Sequence, residues 1–101
     1  MKYNKLVRDK IPEIIKKDKQ TPVIHIANKE EYTRKLLEKL QEEVLEFLKE
    51  QSPEELADIL EVIDAICKLQ KINLKKLQKI KQQKVIDRGG FKKRIILEEI
   101  K

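Results

Sequence analysis

Glycine, proline, cysteine and aromatic residues are all scarce in this chain. Its 101 residues include two glycines, three prolines, one cysteine, two tyrosines, two phenylalanines and no tryptophan. Such a composition, with 42% charged residues, favours helices over a β-sandwich or a β-barrel. The single cysteine excludes an intramolecular disulfide and carries no information about secretion. We therefore expect an all-α chain.

Long apolar runs are also missing from the sequence. The N-terminal residues lack the apolar segment of a signal peptide, and no stretch is apolar enough to predict a membrane span. We expect a single domain over residues 1–101, a cytoplasmic location and no membrane partner. A helical domain of this size buries a limited fraction of its surface, and such domains often gain core by oligomerising.

Positive charge exceeds negative charge by +6, and the sequence pI is about 9.4. A lysine-coated surface explains this excess, because lysine is mostly exposed in folded proteins. Affinity for nucleotides or nucleic acids also explains it. The lysine-rich run from Lys71 to Lys84 contains no acid and supports a nucleic-acid-binding module. Against that alternative, few aromatics are available for base stacking.

Apolar spacing and capping residues predict three main helices. The first covers residues 29–50, with Asn28 and Glu31 as its capping pair. Ser52 and the following proline begin the second, which extends to about residue 70. The third spans residues 73–88 and ends at Gly89 and Gly90.

Shorter elements are expected at both ends of the chain. Residues 4–17 predict an extended arm and a short helix capped by Asp9, which ends at Thr21 and Pro22. Two short strands are expected at residues 23–27 and 94–97, where they could pair. His25 falls in the first strand and is interpreted as structural.

Four carboxylates mirror one another about the turn at Gln51: Glu43, Glu46, Glu55 and Asp58. If the flanking helices are antiparallel, Glu46 faces Glu55 and Glu43 faces Asp58. Residues three apart on a helix are neighbours, so all four would form one cluster. Such a cluster needs a cation, and Mg²⁺ is the hard divalent ion that oxygen ligands suit. Glu42 falls on the solvent side of the helical wheel.

Each of these acids also has an ordinary structural explanation. Glu55 occupies the capping-box position, and Asp58 suits the dipole of an early helical turn. Glu43 and Glu46 could form ion pairs with neighbouring lysines, namely Lys35, Lys39 and Lys49. Convergence of all four acids on one surface between helices nevertheless favours a metal site.

These acids and both termini resemble a known family. The pairs Glu43-x-x-Glu46 and Glu55-x-x-Asp58, with the segments 3–12 and 88–94, resemble the MazG-like all-α nucleoside triphosphate pyrophosphohydrolases. The termini are similar to its short phosphoribosyl-ATP pyrophosphohydrolase-like, or house-cleaning, branch. The resemblance covers nearly the whole chain. It implies an antiparallel helical bundle of the MazG type, assembled as a homodimer or homotetramer.

The resemblance also implies an activity and roles for residues. The family cleaves a nucleoside triphosphate between its α- and β-phosphates, which yields a nucleoside monophosphate and pyrophosphate. Glu43, Glu46, Glu55 and Asp58 would hold Mg²⁺, with Mn²⁺ as an alternative, and Glu43 or Glu46 would act as the base. Cationic side chains from both termini would bind the phosphates: Lys5, Arg8, Lys10, Arg88 and Arg94. Arginine is the better bidentate phosphate ligand.

Two questions stay open at this level. The gap between Glu46 and Glu55 is shorter than the usual spacing in the family, and Glu61-x-x-Asp64 would fit a longer gap. The helical wheel places Glu61 on the polar side, so Glu55 and Asp58 are retained and Glu61 is an outer ligand at most. Whether Glu42 or Glu61 joins the site is undetermined. A catalytically inactive structural oligomer is a further alternative.

The remaining apolar candidates have simpler interpretations. Tyr32, Phe47 and Cys67 fall on the inner faces of the predicted helices and are expected in the core. Tyr3 and Phe91 are candidates for stacking on a nucleotide base.

Overall fold

A computed structural model describes residues 3–101, and this part of the chain is all-helical, as predicted. The described residues form four helices in the order α1 (Ile11–Lys17), α2 (Lys29–Glu50), α3 (Pro53–Leu69) and α4 (Leu74–Arg88). The last three begin and end within one or two residues of the predicted bounds. Between residues 3 and 101, no helix combines the length and apolar character that crossing a membrane requires.

The two predicted strands are wrong. Within residues 3–101 there is no strand, and no backbone hydrogen bond joins segment 23–27 to segment 94–97. Val23 is 96% exposed and Ile26 is 89% exposed, so their β-branched side chains cover no core in the single chain. A strand needs a neighbour to satisfy its backbone, and neither segment has one here. His25 accordingly lies outside regular structure.

Helix α2 begins as its capping residue predicts. The Asn28 side chain accepts a hydrogen bond from the Glu31 backbone N–H at 2.9 Å. At the other end, Gln51 adopts a left-handed conformation (φ 53°) and donates its N–H to the Phe47 carbonyl at 2.7 Å. Proline follows in the first turn of α3, where its missing N–H costs nothing. This short turn reverses the chain and makes α2 and α3 an antiparallel pair.

Helices α2 and α3 pack against each other and hold the buried core. Leu36 is 2% exposed, Val62 is 7% exposed and Cys67 is 3% exposed. The predicted core position of Cys67 is confirmed. Tyr32 and Phe47 are half-buried rather than fully enclosed. The described chain therefore has a small core at one helix–helix contact.

The other two helices contribute little to this core. Asp9 does not cap α1, because Lys10 is the N-cap residue and no side chain bonds there. Helix α1 ends at Lys17, earlier than predicted. Asn73 caps α4 through the backbone N–H groups of Lys75 and Lys76. Gly89 ends α4 with φ +83°, as predicted, and α4 has no buried residue.

The described chain is more extended than a compact domain of its length. Its radius of gyration is 18.2 Å, and its extents are 61 × 31 × 24 Å. A compact domain of about 100 residues has a radius of gyration of about 13 Å. Many large apolar side chains are exposed as well, with Leu45 at 65% and Leu60 at 64%.

Gln51 offers a test of the turn between α2 and α3. A left-handed conformation is unfavourable for a residue with a Cβ and suits glycine. We expect Gln51→Gly to raise the free energy of unfolding by on the order of 1 kcal/mol. Urea denaturation followed by circular dichroism measures it. Gln41→Gly, inside α2, is the matched control and should lower stability by about 1 kcal/mol. A loss of stability in both variants would contradict the strained turn.

Candidate functional site

An open cleft of about 960 Å³ runs along one side of the α2–α3 pair. Helix α2 lines it with Tyr32, Leu36, Lys39 and Glu43. Helix α3 lines it with six side chains: Asp58, Glu61, Val62, Ala65, Lys68 and Leu69. Four positions of α2 and four of α3 lie equally far from the turn, in the pairs 43 and 58, 39 and 62, 36 and 65, and 32 and 69. The antiparallel register therefore puts one face of each helix into the same cleft.

The N-terminal arm, residues 5–11, forms the third wall of the cleft. Lys5 Nζ lies 3.0 Å from Glu42 Oε1 on α2, and Arg8 Nη2 lies 2.7 Å from Asp58 Oδ1 on α3. Lys35 Nζ also donates to the Asn4 carbonyl at 2.7 Å. These polar contacts tie the arm to both helices, so segments distant in sequence meet around one cavity.

Two of the four predicted metal ligands line this cleft. Glu43 is only 9% exposed, and its carboxylate lies 3.3 Å from Lys39 Nζ. A buried carboxylate needs such a partner, because unpaired burial of charge is costly. Asp58 is held by Arg8. The predicted pairing of Glu43 with a nearby lysine is confirmed for Lys39.

The other two predicted ligands lie elsewhere. Glu46 is exposed and does not line the cleft. Glu55 is half-buried and accepts a hydrogen bond from the Ser52 hydroxyl. Its carboxylate therefore bonds to Ser52, the N-cap residue of α3, which is close to the expected capping role. From residue 3 to residue 101, no group of three or more histidine, cysteine, aspartate or glutamate side chains converges as a metal cage.

Glu61 and Glu42 differ from their positions on the helical wheel. Glu61 lines the cleft, although the wheel assigns it to the polar side. Asp64, its companion in the alternative pair, does not line it. Glu42 is partly buried and contacts Lys5 rather than facing only solvent. The arm explains this difference, because it covers a side of α2 that helix–helix packing alone leaves open.

The predicted phosphate-binding cations divide into two groups. Lys5, Arg8 and Lys10 line the cleft. Arg88 and Arg94 are exposed beyond it, at the end of α4 and in the C-terminal segment. Sequence reasoning missed Lys39 and Lys68 as cleft cations. The position of Lys39, four residues before Glu43, was the available signal.

The aromatic and histidine candidates also lie in different places. Tyr32 lines the cleft, whereas Phe91 is 99% exposed in the C-terminal segment. Tyr3 is 68% exposed and is not among the cleft residues. His25 Nε2 contacts Glu31 Oε1 at 2.9 Å near the start of α2. His25 is thus a surface partner of Glu31, not a residue of an apolar strand.

Electrostatics strengthen the contact between the arm and α2. Burial alone would raise the pKa of the Glu42 carboxyl. The hydrogen bond from Lys5 and the charges of Lys39 and Lys5 outweigh burial and lower that pKa below 4.5. The hydrogen bond and the charge of Glu42 raise the pKa of Lys5 above 10.5. Both shifts favour the charged pair.

Two carboxylates of the cleft lining, Glu43 and Asp58, are of the ligand type that Mg²⁺ prefers. Mg²⁺ is usually bound by one or two carboxylates together with substrate phosphates, and it retains several waters. Glu43 and Asp58 supply two carboxylates from opposite walls, and Glu61 is a further carboxylate of the lining. These donors fit Mg²⁺ when phosphate oxygens complete the ligand set.

Comparison of this chain with protein-family models, with curated proteins and with solved structures gives no match.

The Lys5–Glu42 ion pair predicts a pH-dependent contribution to stability. Glu42 has a lowered pKa, so its contribution is present above 4.5 and is lost as pH falls through the lower pKa of the folded chain. Lys5 has a raised pKa, so its contribution is present below 10.5 and is lost at higher pH. Both side chains are about half exposed, which limits the coupling free energy to about 0.2–1 kcal/mol.

A double-mutant cycle with Lys5→Gln and Glu42→Gln measures this coupling free energy by urea denaturation. We expect a favourable value at about pH 7 and a value near zero once Glu42 is protonated. The two single variants measure the loss of each side chain by itself, and the double variant completes the cycle. A coupling that is equal at neutral and acid pH would contradict an ionic contact.

Proposed function

We propose that the cleft binds a nucleoside triphosphate with Mg²⁺ and hydrolyses it between the α- and β-phosphates. The products are a nucleoside monophosphate and pyrophosphate, in keeping with a role in nucleotide-pool house-cleaning. One observation carries the proposal: Glu43 and Asp58 lie in the same cleft as Lys5, Arg8, Lys10 and Lys39. Carboxylates for a metal and cations for phosphates are the parts that such a reaction needs.

Glu43 and Asp58 would hold the metal, with Glu61 beside them. Bound Mg²⁺, or Mn²⁺ in its place, would neutralise phosphate charge and lower the pKa of a bound water. Glu46 and Glu55 lie outside the cleft lining. They would join the site only if the end of the helix pair near the turn closes on the nucleotide.

The cations of the arm would bind phosphate oxygens. Arg8 is the strongest candidate, because its guanidinium can form two parallel hydrogen bonds to a phosphate. Its present partner is Asp58. When the nucleotide binds, Arg8 would exchange Asp58 for phosphate and release that carboxylate to the metal. Lys5 and Lys10 would add charge along the same wall.

Glu43 is the better placed of the two candidate bases. It lines the cleft, whereas Glu46 is exposed outside it. A water oxygen would form a bond to the phosphorus on one side of the α–β bridge, and the bridging oxygen would leave with the other phosphorus. Glu43 would accept the proton of that water through the carboxylate oxygen that is not bound to the metal. Lys39, at 3.3 Å, offsets the cost of burying this carboxylate.

The proposed reaction predicts magnesium-dependent release of pyrophosphate from nucleoside triphosphates. Asp58→Asn should lower the rate on the order of 100-fold or more, because the amide removes a charged metal ligand. Asp64→Asn is the matched control: the same substitution on the same helix, outside the cleft lining. It should leave activity close to that of the unaltered chain. Chelation of the metal should abolish activity in all three proteins.

A coupled assay for pyrophosphate, with product nucleotides separated by chromatography, measures these rates. Loss of activity in Asp64→Asn with retention in Asp58→Asn would transfer the metal site to the alternative acidic pair. Absence of pyrophosphate from every canonical and damaged nucleotide would reject the hydrolase and favour the nucleic-acid-binding or purely structural alternative.

We also propose that the chain assembles as a homodimer or homotetramer through α2. Its cleft residues Tyr32, Leu36, Lys39 and Glu43 have a counterpart stripe five residues later: Leu37, Gln41, Val44 and Leu48. Five residues rotate the helix by about 140°, so this second stripe faces away from the cleft. Leu37 is 52% exposed and Leu48 is 62% exposed. A second copy covering this stripe would bury apolar side chains and leave the cleft open.

This assembly predicts that a charge on the exposed stripe separates the subunits. Leu45, at the edge of the stripe, is 65% exposed and lines a shallow groove with Leu40, Gln41 and Val44. We expect Leu45→Glu to shift the mass in light scattering from a multiple of 12.0 kDa to the single-chain value. Burial of a leucine side chain contributes about 1.5–3 kcal/mol. Gln82→Glu adds the same charge on exposed α4 and should not change the mass. A single-chain mass for the unaltered protein would reject the assembly.

A further inference from the structure

The cleft has two chemically different ends. The carboxylate end contains Glu43 of α2 and Asp58 of α3, with Arg8 bound to Asp58. The apolar end contains Tyr32 and Leu36 of α2 opposite Ala65 and Leu69 of α3. The two ends of the cleft are eleven residues apart on each helix, from 32 to 43 on α2 and from 58 to 69 on α3. This separation corresponds to about 16 Å along the helix axis. This length is comparable to that of an extended nucleoside triphosphate.

We propose that the apolar end is the base subsite and that Tyr32 is the residue on which the nucleotide base stacks. This proposal rests on the proposed function, in which the carboxylate end holds Mg²⁺ and the triphosphate. Tyr32 is the aromatic residue of the cleft lining, and it is half-buried. Phe91 and Tyr3 are not in that lining.

The composition of this end indicates how the base would be recognised. Leucine and alanine side chains have no hydrogen-bonding groups, so they cannot distinguish the edges of different bases. A stacking surface accepts every base, because each base has a π-face. The subsite would therefore bind the base of either a purine or a pyrimidine triphosphate by its face. Such tolerance suits an enzyme that acts on a class of nucleotides.

The stacking role predicts a change in KM more than in kcat. Tyr32→Leu keeps an apolar side chain and removes the ring. We expect it to raise KM for nucleoside triphosphates by between about fivefold and 150-fold, while kcat changes little. Tyr32→Phe keeps the ring and should have a KM within about twofold of the unaltered chain. The KM for inorganic tripolyphosphate, where it is hydrolysed, should not respond to either substitution.

Tyrosine fluorescence supplies a readout that does not depend on turnover. The chain has no tryptophan and two tyrosines, so Tyr3→Phe leaves Tyr32 as the single intrinsic fluorophore. Titration with α,β-methylene-ATP and Mg²⁺ should quench this protein. Inorganic tripolyphosphate should compete with the analogue without quenching. Tyr32→Leu, which retains Tyr3 alone, is the matched control for absorption of light by the nucleotide, and its corrected signal should stay constant.

The outcomes separate the base subsite from the proposed reaction. Equal quenching of Tyr32 by tripolyphosphate, or an unchanged KM in a folded Tyr32→Leu variant, would reject the subsite while pyrophosphate release by the unaltered chain still supports the reaction. Quenching specific to the nucleotide without any pyrophosphate release would support the subsite and reject the reaction. If Tyr32→Leu does not fold, the titration of Tyr3→Phe alone decides.

Discussion

The antiparallel register of α2 and α3 is the constraint on which the rest of the structure depends. Gln51 reverses the chain within a short turn, and Pro53 starts the next helix at once. Because the turn is short, positions equally distant from it lie side by side on the two helices. The core residues, the two cleft carboxylates and the apolar end of the cleft all follow from this mirror relation.

Charge pairing completes the cleft once the register is set. Glu43 is nearly buried, and Lys39 from the same helix offsets the cost of its burial. Asp58 takes its partner from the arm, through Arg8, and Glu42 pairs both with Lys5 of the arm and with Lys39. In the proposed function, three of the charged groups that hold the arm in place, Lys5, Arg8 and Asp58, would bind the magnesium–nucleotide complex. Binding would then exchange one set of ionic contacts for another and would not create charges in an apolar site.

The small core explains why so much apolar surface stays exposed. Only Leu36, Val62 and Cys67 are buried apolar residues in the described chain, and α4 adds none. The two stripes of α2 face different directions, one into the cleft and one toward solvent. This division lets one helix build a candidate site and a candidate subunit contact without conflict between them.

Local signals in the sequence predict the helices correctly, because caps, proline, glycine and apolar spacing act over a few residues. Asn28, Pro53 and Gly89 begin or end helices where their local chemistry predicts. The two strands were wrong, since β-branched side chains favour a strand only where a neighbour exists. Tertiary structure alone decided which acids share the cleft: the arm reaches Glu42 and Asp58 across long sequence separations, and Glu61 enters the lining while Glu46 and Glu55 do not. Helical periodicity assigns a side chain to a face, but packing and the path of the arm decide what that face meets.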